Sequence, residues 1–440
     1  MHRKKIEKRD TFLVIGERLL VLGVFLLPAL SLTVPSGYSY ASVVLLIGAT
    51  IHRSSSGKEY GVSPHFPDLV KLLILFLVLY AIFWIGDAAA RGEGIRGFDR
   101  PSRFLLGAFC LTVIARTRTS PICLWAGLAV GSIGTGGIAI WQKFIENAPR
   151  ANGFTQTNEF GSIAMLMGLM CITGLIWACE PFKRRLKRPF LGGLFLIGSV
   201  NGITASLLSG SRGAWLALLP ATLVGLWVAR RLSFTKAYLL VVGILATLAA
   251  SAAYISPATG VASRIAVAVH EVNDYVEGNV TDTSVGHRLE MWESALELFA
   301  EKPYLGWGEV AYRQEMKGLG AIGNVNADIS RYSHAHNEWF NVLAKKGITG
   351  GLILFGLYIT PFILFLRLGY QSTIPGRLNR SRFSLAAAGM VFSSGFVATG
   401  MTQVSFNHNV GVMVYVFMIA ALVGISTNRH WHDDKSNGPV

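Results

Sequence analysis

The residue types best suited to chemistry are concentrated in residues 331–351, where a polar stretch gives way to a hydrophobic one. Ser333 is a helix-capping residue type, and the apolar residues after it recur at helical spacing, so the pattern predicts a short amphipathic helix that Gly347 ends. His336 then falls in the first turn, where the helix dipole keeps an imidazole neutral and able to accept a proton. His336 is therefore a candidate general base. The alternative is that His334 and His336 are solvated loop histidines or bond to the helix cap.

Three arginines form a second set of candidates. Arg212 lies in the turn 209–215 between two apolar runs and opens a predicted helix, where a cation opposes the helix dipole. Such a placement favours a bound anion, because free backbone N–H groups and a guanidinium fork can bind the same phosphate oxygens. Arg288 opens another predicted helix, and Arg150 precedes a polar run. The alternatives are a guanidinium that reaches the membrane interface or one that pairs with a nearby carboxylate.

The composition is that of a membrane protein. Of 440 residues, 52% are hydrophobic and 15% are charged, a balance that indicates several membrane-spanning helices. The net charge of +15 is spread over short clusters between apolar runs, which fits membrane topology better than a basic nucleic-acid-binding domain. The four cysteines lie in or beside apolar runs. They imply neither a disulfide scaffold nor a cysteine zinc site.

Twelve apolar runs predict an all-α, polytopic integral membrane protein with about 12 transmembrane helices and one large helical periplasmic loop. The runs cover residues 13–33, 37–52, 68–86, 103–115, 121–141, 160–179, 189–208, 213–229, 236–256, 349–367, 383–402 and 407–427. Clusters of Lys and Arg precede the first run and occupy every second loop, so both termini are expected to be cytoplasmic. The basic start lacks a small-residue cleavage site, which predicts a retained first span rather than a signal peptide.

The long polar segment 257–348 is expected to face outward as a folded loop. Its eight Lys or Arg and twelve Asp or Glu give a net charge of −4, in keeping with that side. Ser284–Ala300 has a helical apolar pattern that Pro303 ends, and the glycine-bearing stretch 310–330 is predicted to be an irregular, mobile lid. The domain organisation is then helices 1–9 in residues 1–256, the loop in 257–348, helices 10–12 in 349–427 and a cytoplasmic tail in 428–440.

Several short motifs occur in an order that is more specific than any one of them. They are Ser211-Arg212-Gly213 at a span junction, Arg288-Leu-Glu-Met-Trp292 in the outward loop, Pro303-Tyr-Leu-Gly306-Trp-Gly308, and His336-Asn337 followed by Gly347 and Gly350. This order resembles the bacterial O-antigen ligase and polymerase superfamily, over roughly residues 150–355 by motif and over the whole chain by span pattern. The resemblance implies transfer of a polysaccharide from an undecaprenyl diphosphate carrier to an acceptor hydroxyl outside the inner membrane.

Within this superfamily the chain is most similar to the ligases, whose acceptor is the lipid A-core oligosaccharide. One outward loop dominates, and no large domain follows the last predicted span. O-antigen polymerases share the pattern and stay open as an alternative. A non-enzymatic transporter of lipid-linked sugar is a further alternative, although the sequence has no visible repeat symmetry or coupling-ion site.

The resemblance also implies roles for individual residues. His336 is the expected general base, and Arg212 and Arg288 are expected to hold the diphosphate of the donor, undecaprenyl diphosphate-linked O-antigen. The supporting residues are Arg150, Trp292, His334 and Asn337, and His408 and Asn158 are weaker candidates. His334 and His336 would exchange roles if the helix began earlier. Direct attack would invert the anomeric centre, no cofactor is expected, and the two arginines are expected to replace the metal ion that many glycosyltransferases use.

Overall fold

The computed structural model of the chain describes residues 2–56, 66–179, 188–233, 254–257, 259–276, 283–321, 329–374 and 377–428, with positions 247 and 251. The α-helices within these ranges are α1 His2–Leu30, α2 Gly37–Ser55, α3 Asp68–Ala90, α4 Asp99–Ile114, α5 Pro121–Phe144, α6 Thr157–Ala178, α7 Arg188–Ser209, α8 Leu218–Arg231, α9 Val261–Val276, α10 Ser284–Glu301, α11 Gly308–Ala321, α12 Glu338–Ser372, α13 Arg380–Gly400 and α14 Asn409–Thr427. Short 3₁₀ helices cover Ile95–Phe98, Arg212–Ala217, Ile329–Arg331 and Ser405–Asn407. A two-stranded antiparallel hairpin pairs Thr373–Ile374 with Arg377–Leu378.

Nine helices of the described ranges are long and apolar enough to cross a membrane. The runs predicted as the second and fourth spans form helices α2 and α4, which are not among the nine. The run predicted at 236–256 lies mostly outside the described residues. The helical membrane class is therefore confirmed, apart from the small hairpin, and the number twelve stays a prediction.

The last helix, α14, lies at the centre of the membrane helices. Its most apolar stretch is 94% buried, and it packs against α1, α2, α4 and α13. A helix that is surrounded on all sides needs apolar residues at nearly every position, which explains why its sequence lacks an amphipathic period.

An aromatic cluster anchors the segment that leads into α14. The ring of Phe406 lies 5.3–5.9 Å, centroid to centroid, from five other rings. They belong to Tyr80, Phe104, Tyr358, Phe396 and Tyr415. Aromatic pairs at such spacing add stability beyond the burial of their area. The connection between α13 and α14, which carries His408, is thus held by rings from five helices, α3, α4, α12, α13 and α14.

Small residues allow α6 and α7 to approach closely. A Cβ atom added to Gly202 would lie 2.7 Å from the Cα atom of Gly168. Membrane helices associate through such contacts, because lipid removes the hydrophobic drive for helix pairing. The α6–α7 pair brings the start of α6 next to the turn that follows α7, where Arg212 lies.

A second, smaller core joins α10, α11 and the start of α12. Its buried residues are Met291, Ala295, Leu298, Tyr312, Met316, Ile329, Ala335 and Ala344. The predicted helix at Ser284–Ala300 is confirmed as α10, which Thr283 caps by accepting a hydrogen bond from the Gly286 N–H at 3.0 Å. The helix ends at Glu301, two residues before Pro303, as predicted.

The prediction of an irregular lid at 310–330 is wrong for its first half. Residues Gly308–Ala321 form α11, because Tyr312 and Met316, four residues apart, bury on one face against the small core. The stretch 322–328 lies outside the described residues.

Gly347 breaks α12 near its start, which confirms the predicted stop. Its φ of 63° is in the left-handed region that favours glycine. A Cβ atom there would lie 2.3 Å from the backbone of Tyr304. The turn after α10 packs into this break, since Ile348 N–H donates to the Pro303 carbonyl at 2.7 Å and Trp307 N–H to the Ala344 carbonyl at 2.9 Å.

Candidate active site

The His336 side chain is presented by a tight loop that precedes α12. The backbone of His336 has a φ of 48°, a left-handed conformation that costs a residue with a Cβ atom about 1–2 kcal/mol. Its ring lies 4.3 Å from the His334 ring and 5.3 Å from the Tyr332 ring, in edge-on arrangements. Strain of this kind persists only where surrounding contacts fix the backbone, and it is concentrated at functional sites.

The predicted helix start at Ser333 is wrong, and so is the placement of His336 in the first helical turn. The cap is Asn337, whose Oδ1 accepts hydrogen bonds from the N–H groups of Trp339 at 3.0 Å and Phe340 at 3.4 Å. A capping residue uses its own carbonyl for the first helical bond. The Ser333 carbonyl instead accepts a hydrogen bond from the Nζ of Lys345 at 2.7 Å. His336 therefore lies just before the helix.

Four arginines and His336 line one cavity of about 390 Å³. The arginines are Arg150, Arg212, Arg264 and Arg288. The other lining residues are Asn158, Gly210, Thr283, Ser284, His287, Met291 and Tyr332. The three arginines selected from the sequence and the expected base are thus brought together, although they are separated by up to 186 positions in the chain.

Arg150 lies in the loop between α5 and α6, and contacts with α6 and α7 fix its side chain. Its Nε donates to the Ser209 carbonyl at 2.7 Å, and one terminal nitrogen donates to Oδ1 of Asn158 at 3.1 Å. Burial lowers the pKa of Arg150, and the positive charges of Arg264, Arg288 and Arg212 lower it further. The part of the shift that comes from the other three arginines reflects repulsion among these cations, which a bound anion would relieve.

Arg212 begins the 3₁₀ helix Arg212–Ala217, so the predicted helix start at this residue is confirmed. One terminal nitrogen donates to the Arg264 carbonyl at 3.2 Å, and the other forms an ion pair with Oε2 of Glu271 at 3.2 Å. Both Arg264 and Glu271 lie on α9. Arg212 therefore has the carboxylate partner that was the alternative to anion binding, and it also lines the shared cavity, whereas Glu271 does not.

Arg288 is the fifth residue of α10, so it lies about one turn inside the helix rather than opening it as predicted. Burial lowers its pKa, the charge of Arg212 lowers it further, and Glu271 acts in the opposite direction. Among the described residues, four guanidinium groups line the cavity, and one carboxylate, that of Glu271, pairs with Arg212 beside it. The cavity therefore carries a formal excess of three positive charges, which suits a polyanion such as a diphosphate.

The imidazole of His336 is neutral at pH 7. Burial, with a smaller contribution from the charge of Arg288, lowers the pKa of His336 to about 4, while the polar side chain of Gln403 acts in the opposite direction. Its buried Nδ1 has no hydrogen-bond partner among the described residues. A neutral imidazole with an unoccupied nitrogen is able to accept a proton.

His334 and His408 lie behind His336 and do not line the arginine cavity. Their rings are 5.8 Å apart. Burial lowers the pKa of His334 to about 3 and that of His408 to about 4. The geometry gives His336, rather than His334, access to the cavity.

The two other supporting candidates, Trp292 and Asn337, have structural contacts: Trp292 packs in the small core, and Asn337 caps a helix. The Trp292 ring packs against Phe340 at 5.6 Å in the small core, and it is not among the residues that line the cavity. Asn337 is buried as the cap of α12. Both residues support the elements that carry Arg288 and His336.

Sequence reasoning missed Arg264, Glu271, Tyr332 and Gln403. Arg264 and Glu271 are seven residues apart, two helical turns, and this spacing in a strongly amphipathic segment was the available signal. Gln403 lies in a short connection with no local pattern, so only the tertiary structure brings it to His336.

The fold and the cavity define a polytopic helical membrane protein with a cationic cavity beside a neutral histidine. A family model described as O-antigen ligase matches residues 193–355, which include Arg212, Arg288 and His336. The chain is also 24% identical to the O-antigen ligase of Escherichia coli K12 over 300 residues, 66% of this chain and 68% of that protein. An uncharacterized protein of Haemophilus influenzae is 25% identical over 336 residues, 76% of this chain and 82% of the relative. These matches confirm the resemblance to the O-antigen ligase and polymerase superfamily.

Proposed function

We propose that the protein is an O-antigen ligase, which transfers O-antigen polysaccharide from undecaprenyl diphosphate to a sugar hydroxyl of the lipid A-core oligosaccharide. The observation that carries this proposal is the position of His336 in the wall of a cavity lined by four arginines. The family model and the name of the Escherichia coli relative support the same activity.

Arg212 and Arg288 hold the diphosphate of the donor in this proposal, and Arg150 and Arg264 add positive charge around it. Guanidinium groups bind phosphate oxygens in pairs of parallel hydrogen bonds. When the glycosidic bond breaks, negative charge develops on the bridging oxygen, and fixed cations in the cavity stabilise it. In this way the arginines perform the role that a divalent ion has in other glycosyltransferases, and the reaction needs neither a metal nor a cofactor.

His336 acts as the general base on the acceptor. The acceptor oxygen attacks the anomeric carbon while His336 takes the hydroxyl proton. The bond from the anomeric carbon to the diphosphate oxygen breaks, and undecaprenyl diphosphate leaves with the electron pair. One direct displacement inverts the anomeric centre. General base catalysis of this type contributes about 10²–10⁴ in rate.

The proposal places the protein in the bacterial inner membrane as a multi-pass protein with its active site on the periplasmic side. The basic clusters of alternate loops support cytoplasmic termini. The net negative charge of residues 257–348, which carry Arg288 and His336, supports an outward position for the site. The lipid chain of the donor then stays in the membrane while its diphosphate enters the cavity.

The test uses purified full-length protein in detergent, undecaprenyl diphosphate-linked O-antigen and rough lipopolysaccharide, with and without EDTA. We expect a ladder of glycosylated lipopolysaccharide that requires the acceptor, survives EDTA and disappears in a His336→Asn variant. Longer carrier-linked chains without acceptor would identify a polymerase. Absence of any covalent product, with donor movement across proteoliposomes, would identify a transporter, and loss of the ladder in EDTA would overturn metal independence.

A further inference from the structure

Lys345 is a buried cation that joins three segments around the His336 loop. It lies on the short first part of α12, and its side chain is 1% exposed. Its Nζ donates to Oε1 of Glu309 on α11 at 2.9 Å and to the Ser333 carbonyl at 2.7 Å. The same nitrogen lies 5.0 Å from the centre of the Tyr312 ring. One ammonium group therefore ties α12 to α11 and to the loop.

A buried ammonium group requires partners, because its loss of hydration is compensated only by charge and hydrogen bonding. Glu309 supplies the charge. Burial alone favours the neutral acid, but the ammonium groups of Lys345 and Lys346 hold the pKa of Glu309 below its ordinary value. The Ser333 carbonyl supplies a second acceptor. Because charge-assisted hydrogen bonds are shorter and stronger than neutral ones, this contact fixes the Ser333 backbone firmly.

The position of the Ser333 carbonyl determines how the chain reaches His336. Only His334 and Ala335 separate the two residues. The small core also buries Ala335, so the loop is held at its start by Lys345 and at its middle by apolar contacts. Asn337 then fixes its end as the cap of α12. The left-handed backbone of His336 lies between these fixed points.

We propose that Lys345 is a positioning residue for the candidate base: its bond to the Ser333 carbonyl holds the His334–His336 loop so that His336 faces the arginine cavity. This inference rests on the proposed function for its consequence in catalysis. Lys345 does not line the cavity, and it acts through the backbone.

The neighbouring lysine provides a matched control. Lys346 is also buried, at 4% exposed. Its Nζ lies 4.4 Å above the ring of Trp84 on α3, and no hydrogen bond joins it to the described part of the His336 loop. Loss of Lys346 removes a buried cation from the same helix turn without releasing Ser333.

The kinetic test compares Lys345→Met, Glu309→Gln, the double variant of both, and Lys346→Met in the ligase assay. Lys345→Met leaves the partly buried Glu309 carboxylate without its ion-pair partner. A fall in thermal stability is therefore expected even if the His336 loop keeps its position. The double variant removes both charges and is expected to recover stability. We expect kcat to fall about tenfold or more in both variants that lack Lys345, with the donor KM within about twofold of the wild type. Glu309→Gln and Lys346→Met are expected to keep most of kcat.

A second readout does not depend on ligase activity. Diethyl pyrocarbonate modifies accessible neutral imidazoles, and mass spectrometry measures the rate at His334 and His336 separately. We expect faster modification in Lys345→Met and in the double variant, and the wild-type rate in Lys346→Met. Recovery of both kcat and the wild-type modification rate in the double variant would overturn the proposal, as would wild-type behaviour of Lys345→Met. If the wild-type protein transfers no polysaccharide, the proposed function fails, whereas the modification rates still decide whether Lys345 holds the loop.

Discussion

The imidazole of His336 and the guanidinium of Arg288 line the same cavity, and the positive charge of Arg288 helps burial to lower the pKa of His336 to about 4. A buried base whose pKa is lowered further by a nearby cation responds to an anionic ligand. When a diphosphate binds Arg288, its negative charge offsets that of the guanidinium, and the pKa of His336 rises. On the proposed mechanism, donor binding therefore makes His336 a stronger base at the moment when the acceptor hydroxyl has to be deprotonated.

This coupling predicts different pH dependence for the free enzyme and the donor complex. Protonated His336 cannot accept a proton, so activity is lost as pH falls through its pKa. We expect the acid limb of kcat/KM near pH 4 and the acid limb of kcat at higher pH, because the two parameters report the free enzyme and the complex. Initial rates across a pH series measure both. If the acid limbs of kcat and kcat/KM coincided near pH 6.5, the ordinary pKa of an imidazole, neither Arg288 nor the diphosphate would influence the pKa of His336.

Replacement of the two loop histidines separates their roles. Asn tolerates the left-handed backbone better than Ala does, so His336→Asn removes the base with little added strain. We expect His336→Asn to lower kcat by about 10²–10⁴ and His334→Asn to retain most of the activity. A circular dichroism melt in detergent checks that both variants are folded. An inactive His334→Asn beside an active His336→Asn would assign the base to His334.

On the proposed mechanism, Glu271 competes with the donor diphosphate for Arg212. Its carboxylate pairs with Arg212 at 3.2 Å, and it repels a diphosphate that enters the cavity. We expect Glu271→Gln to lower the donor KM by about threefold to tenfold at low salt, and less at high salt because exposed charges are screened. Glu297→Gln, on the exposed side of α10, is the control and is expected to leave KM unchanged. A higher KM in Glu271→Gln would mean that the ion pair serves to orient Arg212.

Local signals in the sequence were sufficient for some parts of the site and insufficient for others. Gly347 was identifiable as a helix stop because glycine readily adopts the left-handed backbone conformation that ends a helix, whatever packs against it. Ser333 and Asn337 are both good caps, and the choice between them depends on Lys345, which takes the Ser333 carbonyl and lies twelve positions away in the sequence. Local capping preference could not include that contact.

The arginines illustrate the same limit. Arg212 and Arg288 stood out because a cation at a helix start opposes the dipole. Arg264 lies in the first turn of α9 and carries the same conflict, but no helix was predicted at this place, and packing of α9 over the turn after α7 brings it to the cavity. Gln403 and the helical character of α11 likewise follow from tertiary contacts.

The break at Gly347 predicts a large effect of a small substitution. Gly347→Ala adds a Cβ atom that would lie 2.3 Å from the Tyr304 backbone, at a φ of 63° that costs an L-residue about 1–2 kcal/mol before any clash. Backbone atoms cannot move aside as a flexible side chain can, so the turn after α10 has to shift away from α12. We expect a loss of at least about 2 kcal/mol in unfolding free energy and a lower thermal midpoint in detergent. Gly86→Ala is the matched control, because a Cβ atom there meets nothing within 4 Å near the C-terminal end of the apolar helix α3, and Ala is the better helix former. Equal midpoints for the two variants would show that the turn is not held tightly against α12.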